Sequence, residues 1–328
     1  MKKIFRWLIE YFKTEFHPVS FLVFAIMLAT CIWINYGLHF DSRVMDRLPR
    51  GPVRMLTYFL FYGLPWLLVA IVHGVVTKKT GYMKSGRFWL TAFFAFTLIA
   101  FVTWAPFHMQ AAAHFFSGPM HAWANHTFWN AQSMMLYFPI LLAFWLLFDR
   151  RQTGTGFYGL SFRGFDPWPY MVMLLIVLPG IIWASYQQDF LQAYPTYKAG
   201  SAERYLQLQG HGERSWIWTS LIYEVIYALD FASIELFFRG FLVFAFVKYM
   251  GKGAILPMVA MYCFLHFGKP MGEAISSIFG GFVLGIIAYH SKSIFGGILV
   301  HVGVALSMDI TAWIRHFSIQ SPWTLPLH

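Results

Sequence analysis

The last third of the sequence places ionisable side chains inside stretches that are otherwise apolar. Glu235, Arg239, His266 and His301 lie within such stretches, and Asp230 lies five residues before Glu235. An ionisable group in the hydrocarbon core of a membrane is unfavourable unless it is paired or hydrated. A carboxylate beside an imidazole can activate a water for attack on a carbonyl carbon, and a second imidazole can stabilise the resulting oxyanion. These residue types therefore point to hydrolysis of a carbonyl compound within a membrane.

The composition supports a membrane location for these residues. Hydrophobic residues make up 58% of the chain and charged residues only 12%, and the mean hydropathy is +0.56. Soluble domains carry about 25% charged residues. The net charge of +10 does not indicate nucleic-acid binding, because the Lys and Arg residues lie in short loops where they orient helices. The sequence therefore predicts an all-α, polytopic transmembrane helix bundle of eight to nine spans, with membrane lipids as its surroundings.

The apolar runs divide the chain into four predicted parts. Residues 1–18 form an interfacial amphipathic segment, 19–215 the N-terminal transmembrane helices and loops, 216–313 the core that carries the ionisable residues, and 314–328 a tail. The basic loop 78–87 marks the cytoplasmic side, and the expected location is the inner (plasma) membrane of a bacterium. The nine predicted spans are 19–38, 55–76, 88–107, 133–148, 169–186, 216–249, 254–267, 271–290 and 293–313.

Helix geometry places three of the ionisable residues at overlapping depths in the membrane. At a rise of 1.5 Å per residue, Glu235 lies roughly 21 Å from the cytoplasmic end of its helix, His266 roughly 20 Å and His301 roughly 12 Å. Asp309 comes out at roughly 24 Å on the same scale. Three separate helices are therefore expected to bring one acid and two imidazoles together.

Structural roles compete with this interpretation. Glu235 and Arg239 are four residues apart on one helix face and are expected to pair, which by itself stabilises a helix bundle. A histidine on an apolar helix is often a hydrogen-bonded packing residue. Gly281 and Gly285 form a Gly-x-x-x-Gly face, which allows close approach of two helices in lipid.

Four histidines occur in the segment 108–132, which the span assignment makes an outer loop. They are compatible with a metal site. The neighbouring Phe and Trp residues favour an aromatic belt at the membrane interface instead. The four residues are His108, His114, His121 and His126.

The core segment resembles the CPBP (CAAX protease and bacteriocin-immunity, Abi) family of intramembrane metalloproteases. The run Ile234-Glu235-Leu236-Phe237-Phe238-Arg239 is similar to the family motif Glu-Glu-x-x-x-Arg. Tyr262-Cys263-Phe264-Leu265-His266 is similar to Phe-x-x-x-His, and His301 begins the third motif, His-x-x-x-Asn. The three motifs occur in the family's order over roughly residues 216–313.

The resemblance implies an endopeptidase that hydrolyses a membrane-associated peptide or a prenylated protein. Glu235 and His266 would activate water, His301 would stabilise the oxyanion, and Arg239 would hold Glu235. Two cofactor options follow: a divalent metal such as zinc, with Glu235, His266 and His301 as its ligands, or no metal.

Two departures from the family motifs keep other functions open. Ile234 stands in place of the first glutamate, and Ala305 in place of the asparagine. Glu235 could serve as the base if the helix were rotated by about 100°, one residue, and Asp230 is the reserve base one turn away. The first alternative is a catalytically silent relative that acts as a binding, bacteriocin-immunity or scaffold protein. A proton-coupled transporter or channel is the second alternative.

Overall fold

The computed structural model describes residues 1–151, 154–162, 165–197, 206, 209–210 and 215–319. The structure is 83% helical, and the described residues contain no strand. This confirms the all-α fold class. The α-helices are Lys2–Glu15, Pro18–Leu38, Pro52–Val76, Gly86–Trp104, Phe107–Phe115, Pro119–Phe144, Trp168–Ala184, Gln188–Ala193, Ser215–Glu235, Leu242–Met250, Ile255–Leu265, Met271–Ser291 and Phe295–Ile319. Three π-helical segments (Asp41–Met45, Trp145–Asp149 and Leu236–Phe241) and two 3₁₀ turns (Gly81–Lys84 and Gly251–Ala254) connect or extend them.

Six elements in the described part of the chain are long and apolar enough to cross a membrane. They overlap six of the nine predicted spans, so the chain is an integral membrane protein, and the total of eight to nine spans stays a prediction. The six are Pro18–Leu38, Pro52–Val76, Gly86–Phe115, Pro119–Asp149, Met271–Ser291 and Phe295–Arg315.

The segment 108–132 is not a loop, so that interpretation was wrong. Its residues belong to the helices Phe107–Phe115 and Pro119–Phe144, apart from a short break between them. The ring of His108 is buried and its Nδ1 lies 3.1 Å from the side-chain oxygen of Gln132, to which it donates. The helical pattern continues because no charged residue and only one proline, Pro139, interrupt the second helix.

The chain divides into two compact units. The first comprises Met1–Trp104, Pro139–Asp166 and Glu235–Gly297. The second comprises Ala105–Phe138, Pro167–Ile234 and the residues from Ile298 onward. The predicted tail at 314–328 begins inside a helix, which continues to Ile319, and its remainder lies outside the described residues.

The centre of the first unit is the short helix Ile255–Leu265. Every residue from 255 to 264 is buried, and the helix packs against Pro52–Val76 and Met271–Ser291. A Cβ atom at Gly281 would lie 3.3 Å from Val259, and one at Gly285 would lie 2.6 Å from Met258. The Gly-x-x-x-Gly face therefore allows close packing, as the sequence predicted.

The N-terminal helix Lys2–Glu15 belongs to the first unit and packs within it through its buried residues Tyr11 and Glu15. One Glu15 carboxylate oxygen lies 3.5 Å from Nε2 of His73 and 3.2 Å from Nζ of Lys79. Burial alone would raise the pKa of Glu15, but the hydrogen bonds from His73 and Lys79 outweigh it and hold the pKa below its ordinary value. Ionic contacts with His73 and Lys79 therefore hold the C-terminal end of this helix in place.

Candidate active site

Glu235 and Arg239 form a fully buried ion pair in the first unit. Glu235 ends the helix Ser215–Glu235, and Arg239 lies in the π-helical segment Leu236–Phe241 that follows at once. Arg239 NH1 lies 3.0 Å from Oε1 of Glu235, and both side chains have 0% exposure. The predicted pairing is confirmed. A charge without access to water is expensive to bury alone, so each side chain compensates the charge of the other.

The break in helical geometry falls at this pair. A π-helical turn contains one residue more than a turn of α-helix, and such turns are frequent at functional sites. The predicted long segment 216–249 therefore does not cross as one straight helix: it changes geometry directly after Glu235. Such a turn shifts the faces of the helix by about one residue, or 100°.

Gly297 gives the Glu235 carboxylate the space that it occupies. A Cβ atom at Gly297 would overlap the second carboxylate oxygen of Glu235. Gly297 is the third residue of the helix Phe295–Ile319, so the carboxylate lies beside the first turn of that helix. The positive end of the helix dipole favours a negative charge at this place.

Tyr262 connects the ion pair to His266. The Arg239 guanidinium carbon lies 3.8 Å from the centre of the Tyr262 ring. The rings of Tyr262 and His266 meet edge to face with their centres 4.6 Å apart. A cation over an aromatic face is attracted by about 2 kcal/mol when both are desolvated. Glu235, Arg239, Tyr262 and His266 therefore form one continuous chain of contacts.

Backbone contacts fix the orientation of His266. Its Nδ1 lies 3.0 Å from the carbonyl oxygen of Tyr262 and donates to it, which leaves Nε2 as the proton-accepting nitrogen of the neutral ring. The hydroxyl of Tyr36 donates to the carbonyl of Lys269, at 2.7 Å, and contacts that of His266, at 3.3 Å. His266 is only 7% exposed. The imidazole thus has a defined tautomer and little freedom to move.

His301 and both motif departures lie in the second unit. The ring centre of His301 is 4.5 Å from that of Phe231. Ile234 packs against the same apolar cluster that contains Phe231 and Ala305. Where the family motifs have a glutamate and an asparagine, this chain therefore has two apolar residues in one aromatic cluster, whose other buried members are Tyr197, Tyr223 and Tyr227.

The two aspartates of this part of the sequence have hydrogen-bond partners outside the chain of contacts between Glu235 and His266. The Asp230 carboxylate lies 3.5 Å from the Ser233 hydroxyl, which donates to the Asp230 backbone carbonyl at 2.7 Å. Asp309 is 2% exposed and accepts hydrogen bonds from the backbone N–H and the hydroxyl of Thr196 at 2.9 and 2.6 Å. Asp309 therefore anchors the segment around Thr196.

The linking role of Tyr262 and the contribution of Tyr36 were not predicted from the sequence. The spacing of four between Tyr262 and His266 was a usable signal, because such residues share a helix face. Nothing in the sequence links Tyr36 to a backbone 230 residues away.

The described residues contain no group of three or more His, Cys, Asp or Glu side chains that could hold a metal ion. Catalytic zinc sites use three protein ligands. Within the described residues no such set of three ligands is found, and the choice between a divalent metal and no metal stays a prediction.

One comparison with known proteins gives a match. Residues 211–307 match the family model described as type II CAAX prenyl endopeptidase Rce1-like. The matched segment is less than a third of the chain and contains Glu235, Arg239, His266 and His301. It confirms the resemblance found in the motifs and associates this segment with a protease family. Neither the curated proteins nor the solved structures gave a significant match.

Proposed function

We propose that the protein is an intramembrane endopeptidase of the CAAX-processing type, with a prenylated or otherwise membrane-associated peptide as its substrate. One observation carries the proposal: a buried carboxylate and an oriented imidazole are joined through Arg239 and Tyr262 inside the segment that matches a CAAX endopeptidase model. A purely apolar scaffold would not require a buried ion pair, because replacing such a pair by apolar residues is often neutral or stabilising.

In the proposed reaction, Glu235 and His266 activate a water molecule. The water oxygen forms a bond to the scissile carbonyl carbon while its proton passes to this acid–base pair. The same proton is delivered to the amide nitrogen when the C–N bond breaks, which gives a carboxylic acid and an amine. Arg239 holds Glu235 in place, and His301, which the family resemblance assigns to the third motif, stabilises the oxyanion.

The proposal accounts for the two departures from the family motifs, Ile234 and Ala305. The π-helical turn after Glu235 supports its use in place of the residue at Ile234, because such a turn changes the face that a residue presents by about 100°. Asp230 stays the reserve base. Ala305 cannot donate a hydrogen bond, and the loss of one oxyanion donor lowers a rate by about 10²–10³-fold. A slow peptidase is therefore expected.

The test uses the purified full-length protein in lipid nanodiscs and a farnesylated CAAX peptide with a fluorophore. Mass spectrometry of the products identifies the bond that is cut. Glu235→Gln and His266→Asn are expected to stop cleavage, and Glu10→Gln, at an exposed carboxylate of the N-terminal helix, serves as the matched control. Cleavage at the wild-type rate by Glu235→Gln and His266→Asn would overturn the assignment of the base. Asp230→Asn then tests the reserve base, and the same assay with added EDTA tests the metal option.

A second candidate is a catalytically silent relative that acts as a binding, bacteriocin-immunity or scaffold protein. The observation that favours it is the shared apolar cluster of Ile234 and Ala305. It predicts that neither farnesylated nor unmodified CAAX peptides are cut, and that the cellular phenotype of a deletion is restored by the double variant Glu235→Gln/His266→Asn. Failure of that double variant to restore the phenotype would contradict it.

A further inference from the structure

An apolar groove lies in the first unit, and neither residue of the ion pair lines it. Its volume is about 450 Å³, and its lining is almost entirely apolar. The rings of Phe94 and Phe144 stack at 4.1 Å, and Phe144 contacts Phe148 at 4.9 Å, which gives the groove a continuous aromatic wall. The residues that line it are Leu90, Phe94, Pro139, Ile140, Ala143, Phe144, Leu147 and Phe148.

The groove is open on the surface of two membrane-spanning elements. Leu90 is 54% exposed and Leu147 76% exposed, and they belong to the spanning elements Gly86–Phe115 and Pro119–Asp149. A surface of this kind faces lipid hydrocarbon. A flexible apolar chain can fill it without leaving any polar group unpaired.

Three arginines lie at the end of these elements that the basic loop 78–87 marks as cytoplasmic. Arg87 is exposed and precedes Leu90 by three residues, so it shares the helix face that contributes Leu90 and Phe94 to the groove. On the other side, the exposed Arg150 and Arg151 lie two and three residues after Phe148. Guanidinium groups bind phosphate well because their planar donor arrangement matches its oxygens.

The acidic residue next to Arg150, Asp149, does not offset the positive charge of the arginines. Asp149 is 1% exposed. One of its oxygens lies 2.5 Å from Nζ of Lys248, and the other accepts a hydrogen bond from the Tyr158 hydroxyl at 2.8 Å. Its charge is directed into the protein and compensated there. The groove end therefore presents positive charge at the surface.

We propose that this groove binds one acyl chain of an anionic phospholipid, whose phosphate is contacted by Arg87 and Arg150. The combination of an apolar groove and basic residues at its mouth selects a molecule with a hydrocarbon chain and a negative headgroup. Anionic lipids are enriched in the cytoplasmic leaflet, and each nearby basic residue contributes about 1 kcal/mol to their binding. A neutral phospholipid has the same chain but gains little from the arginines.

Native mass spectrometry of the full-length protein tests the proposal with phosphatidylglycerol and phosphatidylcholine of identical acyl chains. The wild-type protein is expected to retain phosphatidylglycerol selectively. Arg87→Gln and Arg150→Gln should each weaken that retention about fivefold, whereas Arg43→Gln, which removes an exposed arginine elsewhere, should leave it unchanged.

A groove-filling variant separates the acyl-chain site from surface charge. Ala143→Trp should reduce phosphatidylglycerol retention to the phosphatidylcholine level, while Ala25→Trp, at an exposed alanine of another spanning helix, should not. Thermal unfolding of each variant in detergent establishes that it is folded. Equal retention of both lipids by the wild-type protein would overturn the proposal, as would unchanged retention in Ala143→Trp. Retention of farnesol in preference to phosphatidylglycerol would also overturn it, because it would identify an isoprenoid as the occupant.

Discussion

Replacing Arg239 by methionine removes one half of a buried ion pair and leaves the other half uncompensated. Both side chains have 0% exposure and their charged atoms are 3.0 Å apart. Removing one partner of such a pair destabilises a protein by about 3–5 kcal/mol, because the remaining charge stays buried. The contact of the guanidinium with the Tyr262 ring at 3.8 Å is lost as well. Arg239→Met is therefore expected to lower the free energy of unfolding by about 3–5 kcal/mol.

The double variant Glu235→Met/Arg239→Met tests whether the uncompensated charge of Glu235 causes the loss of stability in Arg239→Met. Replacing a whole buried pair by apolar residues is often neutral or stabilising by 1–4 kcal/mol, so the double variant should recover most of the lost stability. Thermal unfolding in one detergent measures both effects, with a shift of about 2 °C per kcal/mol and thus roughly 6–10 °C for the single variant. Arg43→Met is the control at an exposed position. A double variant as unstable as Arg239→Met, or a single variant as stable as the wild type, would show that the uncompensated charge does not destabilise the protein.

Three further predictions follow from individual contacts. Gly297→Ala should lower stability by about 1–3 kcal/mol through overlap with the buried carboxylate, measured by thermal unfolding, whereas Gly280→Ala, which faces open space, should have no effect; equal effects would contradict the close approach. Tyr262→Leu should lower both stability and the rate of peptide cleavage because the ring under Arg239 is lost, by up to about 2 kcal/mol in stability, while Tyr262→Phe should retain both; a rate unaffected by leucine would exclude a positioning role. The pKa of Glu15 is lower in the folded protein than its ordinary value of 4.5, so its stabilising contribution is complete above that value and is lost as the pH falls through the lower folded pKa. Limited proteolysis of the N-terminal helix should therefore become faster in the wild-type protein as the pH falls below the ordinary value of 4.5. A Glu15→Gln variant that shows the same pH dependence would contradict this.

The sequence predicted the helical elements well because each apolar run has a length set by the membrane. The predicted span 271–290 differs by one residue at its C-terminal end from the helix Met271–Ser291. The loop prediction for the segment 108–132 was wrong because its histidines and its lack of charged residues are also typical of an interfacial loop. In the structure, hydrogen bonds such as that between His108 and Gln132 satisfy its polar groups within helices.

The candidate site was predictable where the contacts are local and not where they are distant. The pairing of Glu235 with Arg239 follows from their spacing of four residues. The close approach of Gly297 to Glu235 depends on the packing of two helices far apart in sequence, and no periodicity reveals it. The predicted convergence of Glu235, His266 and His301 stays a prediction, as does the choice between Glu235 and Asp230 as the base.

The most direct test of the central claim is the initial rate of cleavage of a farnesylated CAAX peptide by the wild-type protein and by Glu235→Gln, at equal amounts of folded protein in nanodiscs. Folding is established for both by thermal unfolding, because the variant also alters the ion pair with Arg239. A positioned acid–base group contributes about 10²–10⁴-fold to a rate. We expect measurable cleavage by the wild type and a fall of at least about 100-fold in the variant. Cleavage by folded Glu235→Gln at the same rate as by the wild type would contradict the role of Glu235 as the base.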